Sequence, residues 1–229
     1  MDQPPHPLPP CPGPLSASGR FARALECGLA FFALPALLYV VRHRLAFRIL
    51  LLVLALAAAC AAWLLADATF DRSRLWSCRS LRRHLMAVFG CFAPLAVLVA
   101  LATATAEPDR FLVLPLANPI RWLLIMVLYP ILAAAPQELI FRVFFFHRYG
   151  PLFSSSASLI AVNTLSFGLG HLLYGNWVAV ALTTAGGALF AYRYAQSGSL
   201  LVVSIEHGLW GDFLFTIGAG WYLYSGAIR

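Results

Sequence analysis

YGPLFSSSASLIAVNTLSFGLGHLLYGNWVAVALTTAGGALFAY, residues 149–192, runs for 44 residues without an Asp, Glu, Lys or Arg. About 20 apolar residues carry a helix across a ~30 Å hydrocarbon core, so this stretch can hold two crossings, with Tyr174-Gly175-Asn176 as the turn between them. Outward from it, residues 85–106 and 49–66 are likewise free of charge. Unpaired backbone groups are not tolerated in lipid, so such segments are helices or strands of a closed barrel. Runs that are continuously apolar instead of alternating exclude the barrel. The prediction is an all-α, polytopic transmembrane helical bundle of about seven (six to eight) spans. They fall near 24–41, 47–66, 85–106, 119–136, 157–174, 177–195 and 199–223. Pro130 and Pro136 leave residues 137–149 either continuous with the fourth span or as a separate helix along the interface.

Composition agrees. The 229 residues are 61% hydrophobic and only 11% charged, more apolar surface than a water-soluble domain of this size can bury. The net charge of +7 comes from 16 basic residues, all Arg, that flank the apolar runs instead of forming one stripe, so no nucleic-acid partner is expected. Arg72, Arg74, Arg79, Arg82 and Arg83 crowd one loop and predict it to be cytoplasmic; Glu107 and Asp109 mark the next loop as external. The N-terminus is then cytoplasmic. Residues 1–19, rich in Pro and small residues, read as a disordered tail, and 20–229 as a single transmembrane domain. Cys11, Cys27, Cys60, Cys78 and Cys91 have no metal-ligand spacing and read as small buried residues.

Against this background the few polar residues stand out. After Arg121 only Glu138, Arg142, Arg148, Arg193, Glu206, Asp212 and Arg229 are charged. An ionisable group at membrane depth costs a few kcal/mol or more, so those that persist usually face a polar cavity and mark function. His171 and His207 lie within apolar runs as well. Glu138 and Arg142, four apart, share a helix face, as do Phe167 and His171. If the helices carrying Glu138, His171 and His207 pack together, a carboxylate and two imidazoles converge. That is a minimal set for activating water and stabilising an oxyanion. Gly168, Gly170, Gly186, Gly187, Gly208 and Gly211 permit close helix approach. The aromatic residues Phe144, Phe145, Phe146, Trp177 and Trp221 read as lipid-facing or interfacial groups.

In these residues the chain resembles the CPBP family (CAAX proteases and bacteriocin-processing enzymes). Its pattern is Glu-Glu-x-x-x-Arg, then Phe-x-x-x-His, then His-x-x-x-Asn or Asp. The matches here are Gln137-Glu138-Leu-Ile-Phe-Arg142, Phe167-Gly-Leu-Gly-His171 and His207-Gly-Leu-Trp-Gly-Asp212, within about residues 120–215 and separated by 33 and 36 residues. The resemblance implies an intramembrane endopeptidase that cuts a membrane-anchored protein or peptide near its C-terminal anchor, and the variant motifs look most like the bacterial branch that processes C-terminal sorting tails, in the inner membrane. It makes Glu138 and His171 the water-activating pair, and His207 with Asp212 the oxyanion group or its orienter, with Gln137, Arg142, Phe167 and Glu206 in support. A metal-free mechanism is favoured; if a metal is present, zinc on Glu138, His171 and His207 is the set expected. The departures are Gln137, whose amide cannot act as a base, and Asp212, one residue beyond the pattern, where Gly211 stands. They keep open a catalytically inactive protein that acts by binding. A small transporter or proton relay is the third reading.

Overall fold

The computed structural model describes residues 16–45, 48–78 and 80–223. The expected tail up to residue 15, with Cys11, lies outside them, as do Arg79 and Arg229. The chain is an all-helical integral membrane protein. Among the described residues six helices are long and apolar enough to cross a bilayer: α1 (Ala17–Val40), α2 (Ile49–Ala66), α3 (Leu81–Ala106), α4 (Pro119–Leu152), α5 (Ser156–Tyr174) and Leu200–Ile217. Between the last two runs a helix of 21 residues, α6 (Trp177–Ser197), so Leu200–Ile217 is α7. The first helix begins earlier than its apolar run suggests, because the Ser16 hydroxyl accepts from the Gly19 amide and caps it.

Residues 137–149 continue the fourth span: α4 is one helix of 34 residues. It stays continuous across two prolines by opening into π turns at Pro130–Ala134 and Leu139–Phe144. A proline has no N–H to donate, and a widened turn accommodates its ring. Between these turns lie Gln137 and Glu138. The second π turn is tied to α5, where buried Asn163 donates to the Phe141 carbonyl.

Tight turns join the later helices. Ser155, Asn176 and Ser199 each cap the following helix by accepting a backbone N–H, while Gly175 and Gly198 take the left-handed conformation that closes the preceding one. The contacts sort the helix ends onto two sides. On one, Asp67 meets His147, Arg148 meets Glu26, and Ser199 donates to the Ser77 carbonyl. On the other, Arg110 and Asn176 both bond to Tyr222.

Outward faces are apolar, as lipid requires: Leu51, Leu98, Ile120 and Leu124 are all exposed. Some aromatic residues are not where the apolar pattern suggests. Trp177 and Trp221 are exposed, but Phe145 and Phe146 are buried, Phe145 edge-on to Phe31 and Tyr149 and Phe146 edge-on to Tyr194. Cys27 and Cys60 are buried thiols, Cys91 is half-buried and Cys78 is exposed, since it falls in the Arg-rich loop outside the helices.

Candidate active site

Glu138 and Arg142 are completely buried, and the π turn between them leaves their charged ends 3.2 Å apart. That contact is out of line for a hydrogen bond, so it acts as an ion pair whose geometry leaves the second carboxylate oxygen for another partner. The partner is on α7: His207 Nδ1 lies 2.7 Å from Glu138 Oε1. A buried carboxylate beside an arginine accepts, so Nδ1 carries the proton. Arg142 is seated over the Phe167 ring at 4.4 Å and donates to the Gly187 carbonyl. Glu138 thus links α4 to α7, and Arg142 links α4 to α5 and α6.

His207 is sandwiched. Phe190 of α6 stacks on it, with centroids 4.6 Å apart and planes inclined by 18°, and Phe167 meets it edge-on. Its other nitrogen, Nε2, is 3.0 Å from the hydroxyl of Tyr129. His171 sits at the end of α5, with Nδ1 2.8 Å from the Phe167 carbonyl. A carbonyl only accepts, so Nδ1 is the donor and the neutral ring keeps its lone pair on Nε2.

A cavity of about 870 Å³ opens beside these groups. Its polar wall includes Gln137, His171, His207, Tyr129 and Tyr174, and most of the remainder is aliphatic or aromatic. Glu138 is not part of that wall: it lies one layer behind, against His207. Gln137 is, and its Oε1 has no hydrogen-bond partner.

The structure therefore brings Glu138, Arg142, Phe167 and His207 into one contiguous cluster, with the His171 ring tilted against Phe167 at a centroid distance of 4.7 Å. It does not hydrogen-bond Glu138 to His171, because each has its own partner. Asp212, expected to act with His207 as the oxyanion group or its orienter, is not hydrogen-bonded to it: Glu138 takes His207 Nδ1, and the buried Asp212 Oδ1 has no partner. Glu206, expected in support of the site, is committed to Arg193, which holds both its oxygens at 2.9 and 3.2 Å. Among the described residues no three His, Cys, Asp or Glu side chains are grouped to hold a metal ion, and Glu138, His171 and His207 are no exception, so no step is derived through zinc.

Two participants escaped the sequence reading. Tyr129 looks like an ordinary aromatic residue in an apolar run; the available clue was Gly211, a small residue where the motif calls for a polar side chain. Arg193 was visible as a charge near the end of α6, but nothing in the sequence announced that it would claim Glu206.

A buried carboxylate–histidine–tyrosine chain thus lies at the wall of a largely apolar cavity, inside a helical membrane bundle. Residues 119–211 match the family described as Rce1-like, type II CAAX prenyl endopeptidase. That similarity covers the segment carrying Glu138, Arg142, His171 and His207. No curated protein and no solved structure matches it.

Proposed function

We propose that this protein is an intramembrane endopeptidase that hydrolyses a peptide bond near the C-terminal anchor of a membrane-associated protein, with His171 as the base. The observation that carries the reading is the state of that ring: its Nδ1 is committed to the Phe167 carbonyl, so Nε2 offers a lone pair within a cavity that also has His207 and Gln137 in its wall. Water beside His171 gives its proton to Nε2 as its oxygen bonds to the carbonyl carbon. The proton then passes to the departing amine. Gln137 cannot be a base, but its amide can orient the water or the scissile carbonyl. Glu138 acts through His207, holding that ring in one tautomer and orientation, a role given to buried carboxylates beside many catalytic histidines. Arg142 pairs with the other carboxylate oxygen of Glu138 at 3.2 Å. Asp212 is not assigned a step.

The cavity's apolar lining suits a lipid chain or the end of an anchor helix beside the scissile bond. Prenylated C-terminal tails, the substrate class in the family's name, and bacterial sorting tails both meet that description, and the N-terminus is taken as cytoplasmic in the bacterial inner membrane. Gln137 supports a second reading, a binder without turnover, because a carboxylate at that position would face the cavity directly.

Purified protein in proteoliposomes, incubated in H2¹⁸O with prenylated and transmembrane-anchored tail peptides, separates the two. Peptidase activity produces new C-termini carrying ¹⁸O, absent with His171→Ala. Retention of peptides without new termini would support the binder.

A further inference from the structure

The last four residues of α5, His171–Tyr174, tighten into a 3₁₀ turn that left-handed Gly175 closes. With three residues per turn, side chains at i and i+3 lie one above the other, so the Tyr174 phenol is set beside the His171 imidazole. The two rings are 5.7 Å apart with planes inclined by 31°. Asn176 holds the end of the turn, its side chain donating to the carbonyls of Tyr174 and Tyr222. Tyr174 lines the cavity together with His171, and among the described residues its hydroxyl has no hydrogen-bond partner. A phenylalanine would cover His171 equally well, and a hydroxyl withdrawn from water without a partner costs free energy.

The other groups near the site have no hydrogen to offer a substrate. His207 gives its Nδ1 hydrogen to Glu138, so its Nε2 accepts the Tyr129 hydroxyl at 3.0 Å. The Tyr129 ring is locked between His207 and Phe215 and fills the space beside Gly211, where a Cβ would meet Cε1, Cζ and Oη. Asp212 is not part of the cavity wall.

We propose that Tyr174 is a catalytic residue whose free hydroxyl donates to the oxyanion formed on the substrate carbonyl, the task that the resemblance gives to His207 with Asp212. The chemistry rests on the hydrolytic reading above. As the water oxygen bonds to carbon and His171 takes its proton, the carbonyl π pair moves onto oxygen, where the Tyr174 O–H meets it. The phenol keeps its proton. When the pair returns, the C–N bond breaks and the proton on His171 goes to the amine. Base and donor thus come from one turn, which fixes their separation. A donor aimed where charge develops contributes in the transition state and little in the ground state.

The test pairs a planar ligand with a tetrahedral one. S-farnesyl-Cys-Ala-Ala-Met and its phosphinate isostere at the first peptide bond are titrated into the full chain in nanodiscs. Tyr174→Phe removes only a hydroxyl that nothing in the protein uses, so the variant should fold with an unchanged melting temperature. The phosphinate should bind it about 10–100-fold more weakly while the peptide's affinity stays within about twofold; where turnover is measurable, kcat should fall about 10²–10³-fold at unchanged KM. Undiminished phosphinate affinity in Tyr174→Phe, equal loss for both ligands, a variant that no longer folds, or no phosphinate binding by the wild type would each overturn the assignment. A phosphinate-specific loss in Gln137→Leu with none in Tyr174→Phe would move the donor to α4. A wild type that binds the phosphinate yet hydrolyses nothing would defeat the hydrolytic reading, while the phosphinate comparison still decides the place of Tyr174.

Discussion

Glu138 and Glu206 are two buried carboxylates, each beside an arginine, and they differ in what lies on their other side. Glu206 is gripped by both ends of the Arg193 fork and touches nothing else that titrates by hydrogen bond. Glu138 gives one oxygen to Arg142 and the other to His207, whose far nitrogen reaches Tyr129 in the cavity wall. Burial and an arginine make a structural tie; on the hydrolytic function proposed above, the histidine interposed between carboxylate and cavity is what makes Glu138 part of the site. The sparse charges of a membrane protein are therefore not equivalent as functional markers, and the second neighbour discriminates between them.

The sharpest way to break that comparison is to remove each pair. Glu138→Leu or Glu206→Leu alone leaves a buried guanidinium unpaired and should cost about 3–5 kcal/mol in a folding assay in detergent. The double variants Glu138→Leu/Arg142→Met and Glu206→Leu/Arg193→Met should both recover most of it. Only the second should keep hydrolysis; if both do, Glu138 is as structural as Glu206. A gentler substitution follows, Glu138→Gln, which keeps the shape but weakens the hold on His207. It should lower kcat roughly 10²-fold, read at saturating substrate, on the scale of general acid–base contributions. Gly211→Ala forces the Tyr129 ring aside and should cost about 1–3 kcal/mol, with a matching shift in the denaturation midpoint. The corresponding change at Gly90, where an added Cβ meets nothing within 4 Å, serves as the control.

The smallest effect belongs outside the bilayer. The His147 ring beside Asp67, with Thr69 adding two hydrogen bonds, pulls the Asp67 carboxyl down to about 2 from its usual 3.8. Because the folded value is depressed, the stabilisation is fully present above the unfolded value and is lost as pH falls from about 3.8 through about 2. Asp67 is partly solvent-exposed, so removing the pair by Asp67→Asn should cost roughly 0.2–1 kcal/mol at pH 7, and nothing below pH 2.

The bundle was legible in the sequence because lipid imposes length and continuous apolarity on every span. The π turns were not, since prolines 130 and 136 announce a distortion without fixing its kind. In the site, Glu138, Arg142 and His207 were readable as rare charges and rings at helical spacing. Their pairing was not: Asp212 and Glu206 sit nearer His207 in sequence than Glu138, and only the packing of α4 on α7 decides among them. Tyr129 was invisible for a related reason, as its meaning depends on an absence at Gly211 on another helix.

The central claim is that a cavity walled by Gln137, His171 and His207 performs hydrolysis in the native chain. Side-by-side single-turnover cleavage of a farnesylated tail peptide by wild type, His171→Ala and Gln137→Glu tests it most directly. The account predicts measurable cleavage by the wild type, lost in His171→Ala. Silence from the wild type with cleavage appearing only in Gln137→Glu would contradict it and make the native protein a binder.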